Sequence, residues 1–168
     1  LEGGRVLAPD LALRRRVVLA PDRKGLFNET VFANAEYGLR LRRTAKRERA
    51  ARVEEALRAV GLWQLRGANA LSLSTGEAQR LCLAMALAVE PAVVLLDEPT
   101  SSLDPPNVAL AEAIIREMKE RARLVILVTH DVHQARRLAD RVLLLHQGRL
   151  VEEGEGAAFF IGPRSELA

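Results

Sequence analysis

Four short runs of hydrophobic residues along this chain are unbroken by polar positions. Such runs are typical of strands that are buried on both faces, because no alternate residue has to face water. They cover residues 17–20, 92–96, 124–128 and 142–145. After the last run, Gln147 and Gly148 predict a two-residue turn into a further short strand at Leu150 and Val151.

Between these runs, hydrophobic residues recur at helical spacing. The predicted helices cover residues 30–39, 44–60, 74–89, 105–121 and 131–139. Residues 1–16 lack a clear period and are expected to form turns. Strands that alternate with helices predict an α/β fold in which a mainly parallel sheet is covered by helices on both faces. Residues 29–90 show only helical spacing and therefore predict an inserted helical subdomain.

Composition narrows the class of protein. Hydrophobic residues make up 49% and charged residues 28% of the 168 residues, which is ordinary for a globular domain and argues against disorder. The net charge of +3 is too small to indicate a nucleic-acid partner. No apolar run approaches the ~20 residues that span a bilayer, so a soluble domain is expected. The single cysteine, Cys82, is expected to be a small buried hydrophobe.

A basic stretch over residues 40–52 has two interpretations. Its seven Lys and Arg residues could contact an acidic partner or lipid headgroups. Alternatively, they form a solvated helix face that pairs with Glu48, Glu54 and Glu55, which is the favoured interpretation. The stretch alone therefore assigns no partner.

Polar residues follow two of the predicted strands at the points where those strands end. Asp97 and Glu98 come directly after the second run, and His130 follows the third. Because ligands of open parallel sheets lie beyond the carboxyl ends of the strands, these side chains are expected to meet at one edge. An Asp there can hold Mg²⁺, a Glu can orient or deprotonate a water, and a His can contact a terminal phosphate. Each residue also has a structural interpretation, as the polar exit of a buried strand or a hydrogen-bonded histidine.

Two predicted helices begin with polar residues. Ser74 and Glu77 have the spacing of a capping box, which explains both without a ligand. Gly76 is not explained in this way, and it favours a close approach to the backbone, for which phosphate at a helix N-terminus is the natural ligand. Asp104 followed by Pro105 fits an N-cap with proline in the first turn.

In their order, these motifs resemble the ATP-binding subunit of ABC transporters, over about residues 1–163. The helical part over residues 26–39 is similar to that of importers of small solutes, notably oxoanions or polar amino acids. The matching motifs are the signature motif at residues 73–77, the Walker B strand at 93–99, the D-loop at 101–104 and the switch histidine at His130.

The resemblance implies a partial P-loop NTPase fold. A RecA-like α/β core would comprise residues 1–28 and 91–155, a helical signature subdomain residues 29–90, and a C-terminal tail residues 156–168. It also implies a dimer with a second ATP-binding subunit, identical or different, that holds ATP and Mg²⁺ at the interface. A surface at residues 27–37 would contact a transmembrane permease subunit, which places the chain in the cytoplasm at the inner face of the cell membrane.

Roles for single residues follow from the same resemblance. On the Walker side, Glu98 and His130 would be catalytic, and Asp97 and Asp22 would bind the metal. On the signature side, four residues would bind the cofactor: Ser74, Gly76, Glu77 and, in the D-loop, Asp104.

Several positions depart from the family pattern. The P-loop motif Gly-x-x-x-x-Gly-Lys-Ser/Thr does not occur, and the strands that precede it in the family have no counterpart. Asp22 aligns with the Q-loop glutamine and has no N–H to donate, Thr75 replaces a signature glycine, and Met85 stands where arginine is usual. We therefore expect no ATP turnover by the chain alone. A sheet without its first strands should also expose an apolar edge and face, which favours self-association.

Two other function classes are compatible with parts of this pattern. A non-catalytic interaction module would keep the helical subdomain as a docking surface and lack nucleotide chemistry. ABC-type ATPases of DNA repair and chromosome structure carry coiled coils or zinc insertions between their motifs. Residues 22–73 contain no heptad run and no cysteine, which disfavours that class.

Overall fold

A computed structural model describes residues 10–21, 23–122 and 124–161. They form two compact units, the first ending at Val128 and the second beginning at Thr129. The first unit contains a parallel sheet of three strands in the order β1-β2-β3. These strands are Val17–Leu19, Val93–Asp97 and Leu124–Val128. The predicted parallel sheet is thus confirmed, and three of the four unbroken apolar runs form it.

Five α-helices belong to the first unit within its described residues: α1 (Leu11–Arg16), α2 (Val31–Leu41), α3 (Lys46–Ala59), α4 (Thr75–Val89) and α5 (Pro105–Arg121). Short 3-10 turns occur at Arg23–Gly25, Trp63–Leu65 and Ala70–Ser72. Helix α4 is the centre of the core, with Leu81, Cys82 and Leu83 fully buried, as its apolar sequence and the expectation for Cys82 require. Helix α2 packs tightly against it, because a Cβ at Gly38 would lie 2.7 Å from Cγ2 of Val89.

One face of the sheet carries exposed apolar side chains. Leu124, Ile126 and Val128 alternate along β3 and are 49%, 44% and 55% exposed. Leu19 of β1 lies in the same row as Ile126 and is 61% exposed, whereas Leu96 of β2 faces the other side and is buried. The expected parallel sheet with flanking helices is confirmed, and these side chains remain partly exposed on one face of it. The expected exposure of an apolar face is confirmed.

The second unit consists of α6 (Val132–Leu138), β4 (Arg141–His146), β5 (Arg149–Glu155) and α7 (Gly156–Phe159). Strands β4 and β5 form an antiparallel hairpin. Gln147 and Gly148 connect them with φ values of 49° and 74°, as a two-residue turn of the mirror-image type requires. The predicted turn is confirmed. The fourth apolar run pairs within this hairpin and not in the parallel sheet.

Residues 11–16 form a helix, so the expectation of turns there is wrong. The Asp10 side chain caps this helix by accepting a hydrogen bond from the Leu13 N–H at 2.7 Å. Three arginines in its last turn favour helix and complement its dipole, but so short a helix shows no apolar period. Within the described part of the chain, no helix is both long and apolar enough to span a bilayer. The predicted boundaries of the core, helical subdomain and tail stay a prediction.

Candidate functional site

The carboxyl end of β2 holds the two predicted acidic residues. Asp97 is the last residue of the strand, pairs with Val128 and is exposed. Glu98 follows, and its N–H donates to the Val128 carbonyl at 2.9 Å, which extends the ladder by one residue. The φ of Glu98 is 46°, a left-handed conformation that is uncommon for a residue with a side chain. Because such strain concentrates at functional positions, Glu98 stays the predicted catalytic residue.

A hydrogen-bonded turn leads from Glu98 to α5. The N–H and Oγ–H of Ser101 donate to the Glu98 carbonyl at 3.3 and 3.2 Å. Asp104 then caps α5, since its Oδ1 accepts from the backbone N–H of Asn107 at 3.0 Å and from Nδ2 of Asn107 at 2.7 Å. These two hydrogen bonds, the backbone one first, hold the pKa of Asp104 below its ordinary value.

The N-terminus of α4 carries the predicted capping box. The N–H and Oγ–H of Ser74 donate to Oε2 of Glu77 at 2.8 and 2.7 Å, and the Glu77 N–H donates to Oγ of Ser74 at 3.4 Å. These bonds, the one from the Ser74 hydroxyl first, lower the pKa of Glu77. Thr75 and Gly76 hold the other amides of the first turn, which have no acceptor earlier in the helix. An anion at this end of α4 would find those two N–H groups and the positive end of the helix dipole.

Asn107 links the two helix starts. Its side chain lies where a Cβ on residue 76 would be, with Nδ2 2.7 Å from that position and the other amide atoms closer still. Oδ1 of Asn107 accepts a hydrogen bond from Arg80 of α4, and Nδ2 donates to Asp104. Arg80 also donates from Nε to the Val60 carbonyl at 3.1 Å. The close approach that the glycine predicts is therefore made by Asn107 of the same chain.

Sequence reasoning missed Asn107 and Arg80. A polar residue in the first turn of α5 is indistinguishable by pattern from a solvent-facing one. The signal that was available is the spacing Asp104-x-x-Asn107, because an N-cap carboxylate reaches the third residue of its helix.

The structure brings some of the predicted residues together within the first unit. Asp104 is hydrogen-bonded to Asn107, and the Asn107 side chain lies against Gly76. Gly76 lies in the first turn of α4 together with Glu77, and Ser74 caps that turn. Asp97 and Glu98 stand at the end of β2, at the start of the segment that leads to Asp104.

Two predicted residues are not placed with this group. His130 is in the second unit, two residues after the end of β3, so its predicted meeting with the acids stays a prediction. Asp22 lies outside the described residues.

The described side chains offer few ligands for Mg²⁺. Among the described residues, His, Cys, Asp and Glu side chains form no group of three that could hold a metal ion. Mg²⁺ commonly takes only one or two carboxylates and completes its shell with waters and phosphate oxygens. The exposed carboxylate of Asp97 fits that pattern, provided that a phosphate supplies further ligands.

A separate surface corresponds to the predicted contact with a permease. The rings of Phe27 and Tyr37 lie 4.5 Å apart between centroids and are 42% and 39% exposed. Asn34, which is 1% exposed, fixes this loop: its Nδ2 donates to the carbonyls of Phe27 and Thr30 at 3.1 and 3.0 Å. Its Oδ1 accepts from the Phe27 N–H at 2.8 Å. A buried, fully bonded amide therefore presents an aromatic pair to solvent.

The sequence was compared with known families and proteins. It matches the ABC transporter family over residues 5–101, which is more than half of the chain. A probable anion import ATP-binding protein of Haloferax volcanii is 44% identical over 166 residues, covering 91% of this chain and 58% of that protein. The phosphate import ATP-binding protein PstB 2 of Natronomonas pharaonis is 43% identical over 162 residues, covering 91% of this chain and 57% of that protein.

The fold was compared with solved structures. It is similar to that of cbiO1 from Clostridium perfringens, described as part of the ABC transporter complex cbiONQ, with a TM-score of 0.80 and 29% sequence identity. That match covers 89% of this chain and 61% of the other. The chain thus spans about three fifths of the length of the proteins it matches. It belongs to the ABC transporter family, and its fold is that of the family's ATP-binding domain.

Proposed function

We propose that this chain acts in an ATP-binding subunit that powers import of a small anion, and that it supplies the signature half of a shared ATP site. One observation supports the proposal most directly. The N-terminus of α4, which Ser74 caps, is held next to the Asp104 loop by Asn107, which contacts Gly76 and is hydrogen-bonded to Asp104. Two relatives are named for import of an anion and of phosphate, which supports an inorganic oxoanion as the transported solute.

The chemistry assigned to these residues is phosphoryl transfer to water. ATP with Mg²⁺ supplies the phosphoryl group and its charge-neutralising metal. Ser74 and the amides of Thr75 and Gly76 bind terminal phosphate oxygens at the start of α4. At this shared site the partner's own Walker residues would activate the water and hold the metal. Glu98 and Asp97 of this chain belong to its own Walker side, where Glu98 would accept a proton from an attacking water and Asp97 would hold Mg²⁺.

A second polypeptide completes this site. The chain has no Gly-x-x-x-x-Gly-Lys-Ser/Thr, whose amides and lysine hold the phosphates in P-loop proteins. A partner subunit with that motif would bind the nucleotide, and α4 of this chain would close over it. His130 and Asp22 would belong with Glu98 and Asp97 to this chain's own Walker side, where His130 would contact the terminal phosphate of a second nucleotide.

The same assignment places the chain at a membrane. A transmembrane permease subunit would contact the exposed pair Phe27 and Tyr37, where two aromatic rings offer apolar area on a fixed loop. The chain would then lie in the cytoplasm at the inner face of the cell membrane.

Association with a full-length relative tests the proposal. The relative keeps its P-loop and has its catalytic glutamate replaced by Gln, so that ATP is bound and not consumed. In sedimentation velocity, we expect this chain to join the relative with Mg²⁺ and ATP and to stay apart without nucleotide. Ser74→Arg should abolish the association, because it places a bulky cation at the start of α4, whereas Glu98→Gln should leave it unchanged. Association that ignores both nucleotide and Ser74→Arg would contradict the proposal.

A non-catalytic interaction module is the second candidate. One observation favours it: Asn107 already lies against Gly76, where a phosphate would otherwise approach the backbone. Titration of Mg²⁺ and ATP against the chain separates the candidates. Micromolar binding supports a nucleotide site, and no binding up to millimolar nucleotide supports the module.

A further inference from the structure

Two segments distant in sequence carry a concentration of positive charge. Residues 10–16 and 40–47 contain eight Lys or Arg residues and one acid, Asp10, whereas the rest of the chain has more acids than bases. These eight residues lie in α1, at the end of α2 and just after it, and at the start of α3. We call them the α1–α2 basic patch: Arg14, Arg15, Arg16, Arg40, Arg42, Arg43, Lys46 and Arg47. The modest net charge of the chain, +3, conceals this asymmetry.

Arg42 brings the two segments together. It donates from Nη2 to the Arg15 carbonyl at 2.7 Å and from Nη1 to the Val89 carbonyl at 3.3 Å. Both acceptors are neutral, so the positive charge of Arg42 is held in place without being neutralised. Burial, and after it the nearby charges of Arg15 and Arg52, lower the pKa of Arg42.

Neighbouring arginines of α3 differ in having acidic partners. Arg49 pairs with Glu36 at 2.8 Å, and Arg52 pairs with Glu48 at 2.8 Å and with Glu90 at 3.3 Å. Solvated ion pairing, the favoured interpretation of the basic stretch, therefore holds for this part of it.

No described acidic residue forms an ion pair with the cations of the basic patch. They are exposed apart from Arg42, which is partly buried. Two leucines stand among them with most of their surface in water, Leu11 at 64% and Leu41 at 63% exposed. Among the described residues, the patch therefore combines cations that have no acidic partner with exposed aliphatic side chains.

We propose that the α1–α2 basic patch binds anionic lipid headgroups. Guanidinium groups bind phosphate oxygens with two parallel hydrogen bonds, and each basic side chain near an anionic bilayer adds to its affinity. Leu11 and Leu41 would enter the boundary between headgroups and acyl chains, as aliphatic residues of interfacial segments do. The proposal uses the proposed function only for the position of the chain beside a membrane.

The leucines favour a lipid surface over other polyanions. Binding to nucleic acid rests on phosphate contacts and on aromatic stacking, and no aromatic residue occurs in either segment of the patch. An acidic protein surface without apolar side chains would leave both leucines exposed to water. Nucleic acid and acidic protein are therefore alternative outcomes of the test.

The test is flotation of the chain with lipid vesicles. We expect the chain to float with phosphatidylcholine vesicles that contain about 30% phosphatidylglycerol, because these have an anionic surface. We expect it not to float with vesicles of phosphatidylcholine alone. Arg43→Gln/Arg47→Gln should lower the partition coefficient by about 30-fold, since two surface cations are lost. Raising the salt from about 0.1 M to about 0.5 M should also release the chain.

Matched variants give the controls. Arg136→Gln/Arg149→Gln removes two exposed cations outside the patch and should leave flotation unchanged, although the net charge falls equally. Leu41→Gln should weaken binding to vesicles without weakening binding to soluble inorganic phosphate. Equal loss with both double variants would overturn the proposal in favour of non-specific charge, and tighter binding to duplex DNA or polyglutamate than to vesicles would overturn it in favour of another partner. None of these measurements involves ATP, so they stand apart from the test of the proposed function.

Discussion

The side chain of Asn107 occupies the position that a Cβ on Gly76 would take. Hydrogen bonds with Arg80 and Asp104 hold it there, and moving the side chain away would break both of them. The start of α4 and the start of α5 are therefore fastened to each other by one amide. In the proposed function, this contact fixes the position of the N-terminus of α4, which would face the phosphates, relative to the D-loop at residues 101–104.

Gly76→Ala should destabilise the chain by about 1–3 kcal/mol, because the added methyl group overlaps a held side chain. In an Asn107→Ala background the same substitution should be neutral or slightly stabilising, since alanine is the better helix former. Urea denaturation of the four variants of this double-mutant cycle measures the coupling. Gly67→Ala is the control, because nothing lies within 4 Å of a Cβ there. Additive effects at positions 76 and 107 would refute the contact.

The capping carboxylate of Glu77 gives a pH-dependent contribution to stability. Its pKa in the folded chain lies below the ordinary 4.5, so the contribution is fully present above that pH and is lost as the pH falls through the lowered pKa. Glu77→Gln should cost less than about 1 kcal/mol at neutral pH, because the group is largely solvated. The difference in unfolding free energy should vanish in acid. Glu120→Gln removes one exposed charge elsewhere and controls for net charge; a difference for Glu77→Gln that persists in strong acid would count against the capping box.

Asn34 should be far more sensitive than Asn69. Asn34→Ala removes a buried side chain and leaves the partly buried backbone groups of Phe27 without their hydrogen bonds, and we expect a loss of about 2–4 kcal/mol. Asn69 also caps a turn but is exposed, so Asn69→Ala should cost about 1 kcal/mol or less. Thermal unfolding of both variants checks this order. Equal losses would contradict the view that Asn34 holds the aromatic pair in position.

The exposed sheet face should cause self-association. Ile126→Thr/Val128→Thr keeps β-branched residues in β3 and removes apolar area, and it should weaken association about tenfold or more. Val132→Thr changes an equally exposed valine outside this face and should have no effect. Sedimentation equilibrium measures both. An unmodified chain that stays monomeric at high concentration would contradict the prediction.

The sequence predicts elements well where one signal dominates. Asp104 followed by Pro105 marks the start of α5, and the unbroken apolar run at residues 124–128 coincides with β3. It fails where structure depends on distant partners. Helix α1 has no apolar period and is held at its end by Arg42 from α2.

The site shows the same division. The capping box of Ser74 and Glu77 was predictable because all its atoms lie within four residues. The contact between Gly76 and Asn107 spans thirty-one positions along the chain and needs the packing of α4 against α5, which no local pattern specifies.

ATP hydrolysis by a mixed pair of subunits tests the central claim most directly. The partner is a full-length relative with an intact P-loop and a signature motif inactivated by replacing its serine with Arg, so that it is inactive alone. Adding this chain should restore hydrolysis with Mg²⁺ and ATP, Ser74→Arg in this chain should abolish the restored rate, and Glu98→Gln should leave it within about twofold. If the unmodified chain restores no hydrolysis while still associating with the relative, it does not supply the signature half of an ATP site.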